Sequence, residues 1–111
     1  MDYRILVWLE DIERSIDEIF EFLPEERDFF QYQKDLKTKK AIERNIEIIG
    51  EAVNRISKRS NSNITISNAY KIVSTRNRLA HEYDQISDEI IWSIIIRELP
   101  SLKEEIIKLK R

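Results

Sequence analysis

The sequence predicts an all-α bundle of four main helices. Apolar residues recur in alternating steps of three and four over most of the chain, which is the spacing of one helix face. One glycine and two prolines leave few places for a sharp turn, and 41% hydrophobic with 36% charged residues is the composition of amphipathic helices. A chain of 111 residues supports one core, so residues 1–111 are read as a single domain without repeats, low-complexity tracts or an internal boundary.

The first helix should run from Tyr3 to Leu23. Its seam is Ile5, Leu9, Ile12, Ile16, Ile19 and Leu23, Asp2 can cap it, and Pro24 stops it by disfavouring helical geometry in the residue before. Trp8, Phe20 and Phe22 lie off the seam and suggest a second buried contact. Residues 25–33 have room for a short helical turn. The second long helix is expected from Asp35 to Ser57 on a β-branched seam of Ile42, Ile46, Ile49, Val53 and Ile56. Gly50 interrupts it at a cost of about 1 kcal/mol relative to alanine. Two readings stand: the glycine admits a neighbouring helix closely, or it is a tolerated surface position.

Ser60-Asn61-Ser62-Asn63 reads as a loop, and Ile64-Thr65-Ile66 as loop too, because one isolated strand has nothing to pair with. A third helix should start at Ser67 or Asn68, bury Ala69, Ile72, Val73 and Leu79, and end close to His81. Ser87 looks like the next N-cap, with Asp88 and Glu89 in a first turn where the helix dipole favours negative charge. The fourth helix, carrying Ile90, Ile91, Trp92, Ile94, Ile95, Ile96 and Leu99, is apolar nearly all round and is expected to be the most buried. Pro100 either kinks it or opens a final segment with Leu102, Ile106, Ile107 and Leu109.

Composition narrows the function. There is no cysteine, hence no disulfide, thiolate nucleophile or cysteine-bound zinc, and a single histidine builds no histidine-rich metal site; carboxylate-bound magnesium stays open. No stretch reaches the roughly 20 apolar residues of a membrane span, and the start of the chain lacks a basic segment followed by an apolar run, so a cytoplasmic location without membrane contact is expected. The net charge of -2 conceals an asymmetry: residues 1–35 hold eleven acidic and four basic side chains, residues 36–111 ten and fifteen. Nonspecific nucleic-acid binding by the whole surface is disfavoured, but local basic patches exist at Lys34, Lys37, Lys39, Lys40 and Arg44 and at Arg55, Lys58 and Arg59.

The residues that carry chemistry are Arg76-Asn77-Arg78-Leu79-Ala80-His81-Glu82-Tyr83. They gather a fixed positive charge, a proton carrier and a hydroxyl, groups suited to a phosphodiester. RNA cleavage through the 2'-hydroxyl needs proton transfer and charge stabilisation at the phosphate, which an imidazole and a bidentate guanidinium supply without a metal; Asn77 could orient the imidazole. On one unbroken helix Arg76 and His81 would point about 140° apart. The site therefore needs a helix end near Ala80, a second copy of the chain, or both. The same residues also fit a histidine seated at a helix C-terminus beside a solvated basic face, with Tyr83 a buried tyrosine.

Arg76 to Tyr83 matches the R-x-x-x-x-H-x-Y motif of HepT-like toxins in the HEPN superfamily, and the Arg-Asn opening fits as well. Residues 41–52, ending in Gly50-Glu51-Ala52, resemble the family's helix leading into Gly-Glu-Ala, and Leu99-Pro100-Ser101-Leu102 resembles its C-terminal Leu-Pro-x-Leu. The resemblance covers nearly the whole chain. It implies an all-α HEPN-type homodimer whose paired motifs face a shared cleft and cut RNA without metal, with Arg76 and His81 catalytic. It implies further a type II toxin paired with a minimal nucleotidyltransferase antitoxin, which silences it by transferring AMP onto Tyr83. Two other readings compete: a non-catalytic partner that binds and regulates such a nucleotidyltransferase, and a purely structural dimer scaffold.

Overall fold

The computed structural model describes residues 2–59, 64–81 and 86–111, and every regular element in them is helical. Helix α1 (Tyr3–Phe22) starts on Asp2, whose carboxylate accepts from the Arg4 backbone N–H at 2.9 Å, and ends where Pro24 holds Leu23 in extended geometry. Its predicted seam is buried throughout. Trp8 and Phe20 pack half-buried on the core, whereas Phe22, expected beside them, is 43% exposed. The helical advance explains the difference: Trp8 and Phe20 stand about 60° from the seam, Phe22 about 100°.

Helix α2 (Phe29–Lys34) is the short turn expected in this stretch, begun by Asp28, which accepts from the Phe30 and Gln31 N–H groups. It drops Tyr32 into the core against Trp92, ring centres 5.2 Å apart. Asp35 ends α2 and caps α3 (Leu36–Lys58), accepting from the Thr38 backbone at 3.1 Å and the Thr38 hydroxyl at 2.6 Å. Helix α3 is central, with α1 along one side and α4 (Ala69–Ala80) along the other. Its isoleucine and valine seam is fully buried.

The segment before α4 is irregular chain, as expected, with Ile66 buried as an anchor. The predicted Ser60–Asn63 loop lies outside the described residues. Asn68 enters α4 in the left-handed conformation (φ 59°), and its amide donates to Glu98, which also pairs with Lys71 at 3.1 Å. The Ser67 N–H donates to Glu105. These polar contacts fix the start of α4 against the C-terminal part of the chain.

That part is one continuous rod: α5 (Asp88–Ser93), a π-helical turn (Ile94–Glu98) and α6 (Leu99–Leu109). Ser87 caps it, accepting from the Ile90 N–H at 3.3 Å. The π turn, in which the Leu99 N–H bonds Ile94 O, sits immediately before Pro100. A proline ring there would press on the carbonyl four residues earlier and offers no N–H, and widening the helix by one residue relieves both problems. Pro100 is therefore in the first turn of the final segment. The rod is not the most buried element, contrary to expectation: Ile91, Ile94, Ile95 and Leu99 are buried, but Ile90 and Ile96 are 38% and 40% exposed, because only one side of the rod meets the bundle. Lys103–Asp17 and Lys110–Glu13 ion pairs at 2.6 and 2.7 Å link α6 to α1. Among the described residues no helix is long and apolar enough to cross a membrane.

Candidate active site

Helix α4 carries the motif, and its two faces do different things. Ile72 and Thr75 are buried, and Arg76 leaves the helix on the side that meets Gly50 of α3. Opposite them, Tyr70, Val73, Ser74, Asn77, Arg78 and His81 fall within a sector of roughly 140°, and they line one open groove of about 270 Å³.

Gly50 sets how closely α4 lies on α3. A Cβ there would overlap the Cβ of Arg76 and stand 2.9 Å from its Cγ and 3.2 Å from the Ile72 carbonyl oxygen. Of the two readings for this glycine, close helix approach is correct. The same contact fixes the root of Arg76, because a side chain wedged at Cβ cannot pivot without moving the helix.

From that root the Arg76 stem runs outward, and its Nη1 donates to the Asn77 amide oxygen at 2.8 Å. The Asn77 carbonyl is thus engaged by the guanidinium, which leaves its amide N–H groups as the donors that could reach the imidazole. The helix ends at Ala80, as one route to a shared site required. His81 leaves helical geometry (φ -106°, ψ 103°), its N–H donates to Arg78 O at 3.3 Å, and it is exposed rather than sealed in the core. Tyr83 lies outside the described residues.

His81 also borders a larger groove of about 710 Å³ between the α3 N-terminal region and the start of α5, lined by Arg78, Lys39 and Lys40 together with Glu43, Asp88 and Glu89. Lys39 pairs with Asp88 at 3.0 Å and Lys40 with Glu43 at 4.0 Å, so charge there is balanced. Among the described residues the smaller groove has no carboxylate in its lining; Glu82 and Asp84, which follow His81, lie outside them. Arg76 lines neither groove, whereas Arg78 lines both. The sequence reading passed over Arg78; its position three residues before His81 on a helix was the available signal. Among the described residues no three His, Asp or Glu side chains converge where they could hold a metal ion.

Comparison with known proteins bears on this geometry. Residues 12–109 match the family described as Ribonuclease HepT-like. The chain belongs to the HepT-like ribonuclease family. A protein of Methanocaldococcus jannaschii named as an RNase is 35% identical over 107 residues, covering 94% of this chain and 88% of the relative. A protein carrying the name ribonuclease HepT in Thermococcus cleftensis is 34% identical over 107 residues, 94% of each chain. One from Caldanaerobacter subterraneus, also named as an RNase, is 33% identical over 78 residues, 70% of each. No solved structure gives a significant match. Membership in a HepT-like ribonuclease family makes RNA the substrate class and endonucleolytic cleavage the reaction class. It also gives the exposed imidazole at the end of α4 a chemical setting.

Proposed function

We propose that this HepT-like chain is the toxin of a type II toxin–antitoxin pair, a metal-independent endoribonuclease that works as a homodimer through Arg76 and His81. The observation that carries the reading is the position of His81: exposed, released from the helix at Ala80, and bordering two open grooves beside Arg78. The imidazole takes the proton of a ribose 2'-hydroxyl as its oxygen attacks phosphorus. The phosphorus to 5'-oxygen bond breaks, the departing oxygen receives a proton, and a 2',3'-cyclic phosphate remains. The guanidinium of Arg76 holds the non-bridging oxygens as charge builds on them. Nothing in this step requires a metal, because proton transfer and charge stabilisation both come from side chains.

Arg76 shares no groove with His81 in the single chain. In the proposed dimer the Arg76 of one protomer meets the partner's His81 across a common cleft, with Asn77 steadying the arginine. A minimal nucleotidyltransferase antitoxin then silences the enzyme by AMP transfer: the Tyr83 hydroxyl attacks the α-phosphorus of ATP and pyrophosphate leaves. The added phosphodiester anion and nucleoside occupy the place of substrate phosphate.

The test is RNA degradation by purified protein in EDTA. Wild-type protein should cleave and His81→Ala should not; equal activity in the two ends the assignment. A second reading, a non-catalytic partner that binds and regulates the nucleotidyltransferase, draws support from the absence of Arg76 from the lining of either groove that His81 borders. It requires complex formation with no RNA cleavage even when Tyr83 is unmodified.

A further inference from the structure

On an unbroken α-helix Glu98, seven residues after the buried Ile91, would stand within about 20° of it and face the core, while Leu99 would lie about 80° off that line. The structure has the two exchanged. Leu99 is fully buried, and Glu98 stands at the edge of the core with its side chain 13% exposed. The π turn is the cause: its wider ring, closed by the Leu99 N–H on Ile94 O, holds one more residue than an ordinary turn, which swings Leu99 onto the seam and Glu98 to its flank.

From that flank the Glu98 carboxylate reaches the first turn of α4. One oxygen accepts from the Lys71 ammonium at 3.1 Å and the other from the Asn68 side-chain amide at 3.2 Å. An asparagine at a helix start ordinarily turns its side chain back to accept from the first N–H groups. Asn68 makes no such bond; it enters α4 in the left-handed conformation and donates outward to Glu98 instead. Farther along, an open groove of about 450 Å³ lies between α4 and the rod, with Ser74 and Arg78 on one wall and Ile90 and Ser93 on the other. The helix that carries the motif thus rests on α3 at Gly50 and is held at its start by Glu98.

We propose that Glu98 is a positioning residue for RNA cleavage: by clamping the start of α4 it sets where the opposite end of that helix presents His81. The inference rests on the ribonuclease reading and adds a residue that acts on its site from a distance. The Gly50 contact, at Ile72 and Arg76, is roughly 7 Å along the helix from the clamp and roughly 10 Å from His81. It serves as a fulcrum, so releasing the start by about 1 Å carries the imidazole about 1.5 Å the other way. A misplacement of that size costs up to about 100-fold in rate. The charge of Glu98 does not act on His81 directly, because the groups it binds stand roughly 15 Å or more from His81 along the helix, beyond the screening length of about 8 Å at physiological salt.

The experiment uses full-length protein without a histidine tag, so that His81, the one histidine of the chain, gives the one imidazole signal in the proton NMR spectrum. Glu98→Ala and the double variant Glu98→Ala with Asn68→Gly are compared with wild type. Glycine takes the left-handed conformation without strain, so the double variant regains stability in urea unfolding while α4 stays unclamped. In both variants kcat for cleavage of an RNA oligonucleotide should fall roughly 10- to 100-fold with little change in KM, and the His81 Cε1–H resonance should shift. Wild-type kcat in the double variant, or an unmoved resonance, overturns the proposal and leaves Glu98 a stabilising contact only. Failure of the underlying reading looks different: wild-type protein then cleaves no RNA, and the resonance alone decides whether Glu98 sets the place of His81.

Discussion

Replacing Gly50 by alanine sets two effects of opposite sign against each other. Alanine in the middle of a helix is favoured over glycine by about 1 kcal/mol. Against that, the new methyl overlaps Arg76 Cβ and meets the Ile72 carbonyl oxygen at 3.2 Å. Neither neighbour can swing away, because one is fixed to the backbone and the other belongs to it. Relief requires α4 to shift from α3, and overpacking of this kind costs about 1–3 kcal/mol. The overlap lies at the severe end of that range, so the net expectation is a loss of about 1–2 kcal/mol, measured by urea unfolding. Cleavage should suffer more than stability does. Moving the root of Arg76 by a fraction of an ångström to an ångström displaces the charge that the proposed mechanism sets on the phosphate, and a displacement of that size lowers activity by up to roughly 100-fold. Arg76→Gly in the Gly50→Ala background should recover stability relative to the sum of the two single changes, because it reopens the approach. A Gly50→Ala protein that is about 1 kcal/mol more stable than wild type, with unchanged cleavage, would refute this account of the α3–α4 contact.

Other expectations follow from particular contacts. Tyr32 is buried and its hydroxyl has no hydrogen-bond partner among the described residues, while burial, then Glu43 and Asp88, push its ionisation well above the ordinary tyrosine value. Tyr32→Phe should therefore stabilise the fold by about 1 kcal/mol in urea unfolding, and a loss would reveal a partner for the hydroxyl. The Lys39–Asp88 pair is only 18% and 21% exposed and ties α3 to α5, so Lys39→Ala should cost about 1–2 kcal/mol, more than a surface pair and less than a fully buried one. A double-mutant cycle with Asp88→Asn checks it, independent additive effects being the contrary result. Backbone donation from Arg4 and a side-chain bond from Arg59 hold the Asp2 carboxyl below its ordinary value of 3.8, and the Thr38 hydroxyl and backbone do the same for Asp35. A depressed carboxylate contributes stability that is complete above its unfolded value and lost as pH falls through the folded one. Thermal midpoints should thus drop below about pH 4, less steeply in Asp2→Asn and Asp35→Asn; identical pH profiles in all three proteins would count against these caps.

The sequence showed most of the fold because helix formation leaves local marks. The seams of α1 and α3, the start of α3 at Asp35, and the caps at Asp2 and Ser87 are statements about neighbours within a turn, and they hold. What it left open depends on contacts between elements. Gly50 could be read two ways until α4 was placed against it. Ile90 and Ile96 belong to an apolar run, but no local rule says that the bundle covers one side of that rod only. The π turn follows from Pro100 together with an unbroken helix, and the chain alone does not exclude a simple stop at that proline. At the site, the spacing of Arg76 and His81 sets them about 140° apart on one helix, and α4 ends at Ala80 without bringing the two into one groove. The Arg76–Asn77 bond and the place of Arg78 in both grooves depend on rotamers and on the shape of the surface, which spacing does not encode.

The central claim is a site assembled from two protomers, the Arg76 of one with the partner's His81. Refolding an equal mixture of Arg76→Ala and His81→Ala proteins, each inactive alone, tests it directly. Random pairing puts half the dimers in mixed form, each with one intact site of two, so RNA cleavage should return to roughly a quarter of the wild-type rate. A mixture as inactive as its separate components would contradict the shared cleft.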